Sequence, residues 1–440
     1  MRILFFILDL LAFFLITFAV VSLRYGGCHS YLFIPTIETL TPAFILSSII
    51  LWVFSFYDLD LIKMKRLDYR NAVIAFAISL LGSAFGIYFG ATVFNMATPK
   101  IILISVFIIY FYYIYISRKI YSRVTIYRQR LLLLGKSDTI KELDKALRQN
   151  KNYKVLDCFS DVEKAKRISP ENVDLIIMGH NWIQETENSW AVISTQFLNK
   201  GVLLSTDYNF YEKYFKRSSK GSLKNAVWLL RGVAARQEEQ FYPLIKRAMD
   251  IAFCLILMPV LLPAGALTYL AIKYIDCIPP FFFQERIGKN EKVVYIYKFR
   301  TMKPDSEQIT KVGAVLRRFR LDEIPQLINI LKGDISIVGP RPVWTDEYHF
   351  INKYLPCHNI RSVIKPGLTG WAQLNFKAPP TYCVREDLKN KENIPDSVFD
   401  AAKTRLAYDI WYIKNRSFFL DVEIMFKTAK RAFIKDKKFD

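Results

Sequence analysis

Four long apolar runs open the chain, over residues 3–23, 40–57, 73–94 and 101–116, and apart from Asp9 none of them carries a charge. At about 1.5 Å of rise per residue each approaches or exceeds the ~30 Å of hydrocarbon in a bilayer. The pattern predicts four transmembrane helices. The first is too long for a cleaved signal, and no small-residue cleavage site precedes Arg24. Lys63, Lys65, Arg66 and Arg70, and then Arg118, Lys119, Arg123, Arg128 and Arg130, flank the runs on what should be the cytoplasmic side. An even number of crossings satisfies both groups and leaves everything after residue 117 inside the cell.

Beyond Arg130 the texture changes to short apolar runs at 131–134, 155–159, 175–178 and 202–204, separated by polar stretches with helical spacing. That alternation predicts a small parallel sheet of Rossmann-like α/β character. Its first turn, Leu134-Gly135-Lys136-Ser137-Asp138, lacks the spacing of a dinucleotide fingerprint, and Arg130 stands where a P-loop needs its first glycine. A structural or regulatory spacer is the expectation for this region.

A fifth apolar run, residues 251–272, is long enough to cross but holds Pro259 and Pro263, each of which removes a helix hydrogen bond. Lys246 and Arg247 precede it, and Lys273, Arg286 and Lys289 follow it, so a crossing would carry a basic segment outside. A helix over residues 248–273 that enters, bends near Pro263 and returns to the same face breaks neither rule; its freed carbonyls then need protein or water partners. The expected division is a transmembrane region at 1–120, an α/β domain at 121–240 and a mainly α domain with a re-entrant membrane helix at 241–440.

Composition adds three constraints. The net charge of +21 admits nucleic acid, an anionic membrane face or phosphorylated ligands as partners. The basic residues crowd around apolar runs and along the C-terminal third with no nucleic-acid-binding signature, so no nucleic acid is expected, and membrane lipids and phosphate ligands are. Six scattered cysteines and four histidines show no metal spacing, which fits unpaired thiols in a reducing compartment.

The chemistry is concentrated after the fifth run. Arg317, Arg318 and Arg320 stand within six residues of the adjacent carboxylates Asp322 and Glu323. Arginine forks grip phosphate oxygens in pairs. A helix is expected after Asp322, with Pro325 in its first turn, Lys332 in its last and Gly333 as its stop, so Asp322 would lie at the positive end of the helix dipole. On residue types alone, Asp322 as a plain helix cap with the arginines as a solvated face is the favoured reading.

The span from about Phe241 to Phe433 resembles the bacterial sugar transferase family, the monotopic phosphoglycosyl transferases that initiate exopolysaccharide, O-antigen and capsule synthesis. The resemblance is carried by Lys298-Phe299-Arg300-Thr301-Met302, Leu321-Asp322-Glu323, Gly339-Pro340-Arg341-Pro342 and Pro366-Gly367-Leu368-Thr369-Gly370-Trp371-Ala372-Gln373. With the preceding regions the chain is similar to the long form of the family, the polyprenyl-phosphate hexose-1-phosphate transferases.

The resemblance implies that Asp322 is the nucleophile, attacking the sugar-bearing phosphorus of a UDP-sugar, and that Glu323 orients or deprotonates the acceptor, undecaprenyl phosphate. It implies Mg²⁺ on the diphosphate with Asp322 among its ligands, Arg317 and Arg341 near the phosphates, and Pro263 at the bend. Lys298 and Arg300 of the same motifs, and Arg286 of the preceding run Phe283-Gln284-Glu285-Arg286-Ile287-Gly288, are assigned to the substrate phosphates with them. Two positions depart from the family: Leu262 stands where a serine often precedes the proline, and Arg320 replaces a small polar residue.

The expected setting is the bacterial plasma membrane, multi-pass, with the catalytic domain on the cytoplasmic face and a homodimer as an open possibility. Along residues 405–435 aromatic and basic residues alternate, as either a membrane-seated helix or core packing, and Asp409 there is a further site candidate. The rival reading is a membrane-anchored nucleotide-binding scaffold or sensor with an inactive catalytic domain; loss of the Asp322-Glu323 pair would favour it, and the pair is intact.

Overall fold

The computed structural model describes residues 2–25, 40–45, 47–48, 50–52, 56–57, 76, 79–80, 100–124, 128–159, 164, 168–185, 194–237, 241–304, 306, 308–376 and 396–433. Helices α1 (Arg2–Tyr25) and α2 (Lys100–Val124) pack along each other. Aromatic rings interlock here, with Phe13 of α1 centred 5.6 Å from Tyr110 of α2 and 4.5 Å from Phe44 of the apolar helix Leu40–Trp52. Arg118, expected as a cytoplasmic flanking charge, is instead buried in α2 and grips Asp9 of α1 in a two-pronged pair at 3.0 and 2.6 Å. A charge sunk in an apolar bundle persists when it is paired in this way.

Among the described residues two helices are long and apolar enough to cross a membrane, over Phe5–Arg24 and Phe241–Asp276. The second predicted run contributes the shorter apolar helix Leu40–Trp52, and most of the third, with His29, Lys63, Lys65, Arg66 and Arg70, lies outside the described residues. The four predicted spans are thus not confirmed: an N-terminal apolar helix and its packed neighbours are what the structure describes.

The middle region forms the predicted sheet. Strands β1 (Gln129–Leu134), β2 (Tyr153–Phe159), β3 (Leu175–Met178) and β4 (Leu203–Thr206) pair in parallel in the order β2-β1-β3-β4. β1 ends in four fully buried leucines, as a central strand covered on both faces requires. Gly135 then turns with φ +112°, and Ser137 caps α3 (Asp138–Arg148), accepting from the Ile140 N–H at 3.1 Å. Helix α4 (Asp207–Phe215) follows β4, and α5 (Ala226–Gln237) leads out.

Helix α6 (Phe241–Ala271) runs unbroken for 31 residues through both prolines. Both its flanks touch the same body. Near its start Lys246 pairs with Asp421 at 2.6 Å, and Asp250 accepts from the Ser336 hydroxyl at 3.0 Å. Near its end Gly265 packs on Ile324, and Ile272 sits in a cluster with Phe299 and Leu316. Between these contacts Ile256 and Val260 are 73% and 69% exposed.

The body they touch is mainly helical, with an antiparallel hairpin of β5 (Phe281–Ile287) and β6 (Val293–Phe299) and a short parallel pair, β7 (Ser336–Val338) with β8 (Gly367–Thr369). Its helices are α7 (Lys311–Phe319), α8 (Gln326–Lys332), α9 (Thr345–Tyr354), α10 (Trp371–Asn375), α11 (Asp396–Asn415) and α12 (Phe418–Phe433). The aromatic C-terminal stretch divides between the two readings: Trp411 and Tyr412 are core, whereas Phe419 and Phe426 are exposed.

Candidate active site

The reactive turn is built by a chain reversal. α7 begins on a Thr310 cap and stops at Arg320, which adopts a left-handed conformation with φ 56° and lets its N–H bond back to the Arg317 and Leu316 carbonyls. Arg320, the departure from the family pattern, is therefore a non-glycine residue in a conformation that glycine or asparagine takes more readily. A single tight turn, Leu321–Glu323, follows, and α8 runs from Gln326 to its Gly333 stop, where φ is +87°. The helix expected after Asp322 is thereby found, with Lys332 in its last turn and Gly333 as its stop, but it begins after a Pro325 cap, so Asp322 lies in the preceding turn and not at the helix start.

The reversal brings Asp322 and Glu323 against β6. Glu323 lines a cleft of about 330 Å³ with Arg286, Lys298, Gln326, Arg341 and Gln373. Arg286 comes from β5 and is 8% exposed; Gln284 accepts two of its N–H bonds at 3.1 and 2.6 Å, and its guanidinium lies 3.8 Å above the Trp344 ring. Arg341 stands in the loop after β7, its carbonyl oxygen held by the Arg361 guanidinium at 3.0 Å. Arg317, exposed, donates to the Thr301 hydroxyl at 2.9 Å.

Electrostatics set this group apart. Burial, and then the adjacent Glu323, raise the Asp322 acid above the ordinary carboxylate range, against the opposing pull of Lys298 and Arg317. Burial lowers the Lys298 ammonium, Arg341 and Arg286 lower it further, and Glu323 and Asp322 oppose them. A half-buried pair of like charges ringed by cations is the arrangement expected where an anionic ligand completes the charge balance.

Of the residues singled out from sequence, the cleft thus unites Glu323, Arg286, Lys298 and Arg341, with Asp322 and Arg317 at its edge. Arg300 lies elsewhere: its guanidinium bonds the Pro279 and Phe281 carbonyls at 3.0 and 3.3 Å, holding the loop into β5. Asp409, 2% exposed, pairs with Arg361 at 2.9 Å and so braces the segment carrying Arg341 from behind. Pro263 lies inside α6, two residues before the Gly265 contact with Ile324. Sequence reasoning missed Trp344 and Arg247. The Arg247 guanidinium donates to the Ile330 and Leu331 carbonyls at 2.6 Å each, closing the end of α8.

Among the described residues no group of three or more His, Cys, Asp or Glu side chains gathers as a metal cage. Two adjacent carboxylates beside a cation-lined cleft do suit Mg²⁺, which keeps waters and takes one or two carboxylates together with ligand phosphates.

Two carboxylates set against convergent cations, beside a long apolar helix, have the chemistry of a membrane-side site for an anionic ligand. Residues 241–435 match the profile of the bacterial sugar transferase family. The chain is 36% identical over 203 residues to the UDP-N-acetylgalactosamine-undecaprenyl-phosphate N-acetylgalactosaminephosphotransferase of Aeromonas hydrophila, covering 43% of this chain and 44% of that one. It is 32% identical over 203 residues to the UDP-glucose:undecaprenyl-phosphate glucose-1-phosphate transferase of Escherichia coli K12, covering 43% and 40%. It is 34% identical over 217 residues to the exopolysaccharide production protein PSS of Rhizobium leguminosarum bv. phaseoli, covering 44% of this chain and 98% of that one. The chain belongs to the bacterial sugar transferase family. The matched stretch spans less than half of the Aeromonas and Escherichia relatives.

Proposed function

We propose that this protein is a phosphotransferase that moves a sugar 1-phosphate from a UDP-sugar onto undecaprenyl phosphate, giving undecaprenyl diphosphosugar and UMP. The observation that carries this reading is the carboxylate pair Asp322-Glu323 beside a cleft lined by Arg286, Lys298 and Arg341, at the foot of a long apolar helix. The names of the relatives pair UDP-sugars with undecaprenyl phosphate.

In the first step an Asp322 carboxylate oxygen forms a bond to the β-phosphorus, the bond from that phosphorus to the bridging oxygen breaks, and UMP leaves with the electron pair. The sugar phosphate is then carried on Asp322. In the second step a phosphate oxygen of the lipid attacks the same phosphorus and frees the Asp322 carboxylate, with Glu323 accepting the acceptor's proton where one is present. Arg286, Arg341 and Lys298 hold the diphosphate oxygens, and Arg317 steadies Asp322. A bound Mg²⁺, with Asp322 among its ligands, would neutralise charge on the departing nucleotide.

The same reading places α6 as a re-entrant helix, since both its flanks rest on one body while its middle is exposed and apolar. The lipid phosphate then meets the site at headgroup level on the cytoplasmic face of a multi-pass plasma-membrane protein. In membranes supplied with undecaprenyl phosphate and Mg²⁺, a UMP-release screen over a UDP-sugar panel should show turnover with one sugar and none for Asp322→Asn. Full turnover by that variant, or no sugar phosphate trapped on Asp322 with radiolabelled donor, would overturn the mechanism.

A further inference from the structure

We infer that the four-stranded middle unit is a positioning element of the catalytic cleft, acting through α4 on Trp371 and Trp411 and hence on the cleft wall at residues 367–373. The inference rests on the transferase reading for its kinetic consequence and on contacts alone for its structural one.

Gly367, Leu368 and Gln373 line the cleft, and Trp371 sits between them at the start of α10, 4% exposed. A buried indole N–H must find an acceptor or its desolvation goes uncompensated. The acceptor is in the other unit: the Trp371 Nε1–H donates to the Lys216 carbonyl at 2.8 Å. Trp411, its ring centred 4.9 Å from that of Trp371, donates its own Nε1–H to the Glu212 carbonyl at 3.1 Å. Lys216 ends α4, where a helix leaves carbonyls unpaired, and Glu212 lies in its last turn, its carbonyl also accepting the Lys216 N–H at 2.9 Å. Lys216 closes that helix in the left-handed conformation, φ 53°.

Charge reinforces the joint. Lys414 of α11 reaches to 3.4 Å from the Glu212 carboxylate, with both side chains largely buried, and lies over the Trp228 ring of α5. Gly232 makes this approach possible, because a Cβ there would stand 2.6 Å from the Lys414 Cε. Leu223, Leu229 and Val233 of the middle unit share one apolar cluster with Leu406, Ile410 and Ile413 of α11.

At its other end α4 starts on Asp207, which accepts from the Ser137 hydroxyl at 2.8 Å and the His180 N–H at 3.2 Å, where β1 and β3 end. One nine-residue helix therefore links the sheet edge to the cleft wall. The Rhizobium relative is matched over 98% of its length, so a family member has little chain beyond the catalytic unit. Here an additional unit satisfies the two indoles.

The test uses the full-length protein in membranes. Trp371→Phe keeps a ring and removes only the donor; Trp411→Phe does the same one ring away; Lys220→Ala, which breaks an exposed pair with Asp400, is the control. For Trp371→Phe we expect the KM for the UDP-sugar to rise about 5- to 10-fold, the effect of one lost buried hydrogen bond, with kcat within about twofold. Hydrogen exchange over residues 366–376 should quicken in both tryptophan variants and stay unchanged in Lys220→Ala. An unchanged KM and unchanged exchange, accompanied by a lower melting temperature, would reduce the middle unit to a stabilising attachment and sink the inference. If the wild-type protein releases no UMP from any donor, the transferase reading fails, and the exchange rates still decide whether α4 holds the cleft wall.

Discussion

The environment of Asp322 disfavours its charged form. Its carboxyl is raised by burial and by Glu323, so the folded state favours the protonated acid more than the unfolded chain does. The sign follows: this contribution to stability is present in acid and is lost as pH rises through the folded-state value. At neutral pH Asp322→Asn should therefore raise the melting temperature, by about 1–3 °C, while abolishing turnover. The acid limb of the wild-type rate profile should lie above the ordinary carboxylate value of about 4. Arg286→Lys should lower kcat/KM about 10- to 100-fold, because an ammonium keeps the charge but loses the planar stack on Trp344 and the fork to Gln284. At this scale the carboxylate pair was legible and the cation set only partly so. Lys298 lies within β6 and projects by strand alternation, but β6 ends at Phe299, so the alternation does not extend to Arg300.

Among the elements, α8 and α6 act as one fixture. Arg247 of α6 closes the end of α8, and Gly265 of α6 rests on Ile324, two residues beyond Asp322. Gly265→Val adds bulk where a Cβ would already stand 3.4 Å from the Ile324 side chain. It should push the turn away from α6 and cut turnover about tenfold, measured as UMP release at equal expression. The four strands and the caps of α8 were legible because each is written in adjacent residues. Which distant residues hold the two flanks of α6 was not, since Asp421, Ser336 and Ile324 reach it only through the tertiary packing.

For the whole molecule, the placement of α6 decides the topology. Cys277 follows the helix and is exposed, so in a variant retaining it as the sole cysteine it should react with an impermeant maleimide only after the cells are permeabilised. Reaction in intact cells would turn α6 into a true crossing and put the cleft on the wrong face for the proposed cytosolic nucleotide sugar. The Asp9–Arg118 pair belongs to this scale too, because it ties the first apolar helix to α2, which leads toward the middle unit.

The sequence by itself determined the apolar runs, the parallel strands and the helix that follows Asp322 and Glu323. Each of these depends on periodicity or capping within about a dozen residues. Only the tertiary structure decided which cations face the cleft, that Asp409 braces Arg361 rather than lining the site, that Arg118 is buried, and that Trp371 bonds a carbonyl 155 positions away. Such pairings arise when distant segments bury their polar groups together and each donor must find an acceptor, a condition that local patterning does not encode.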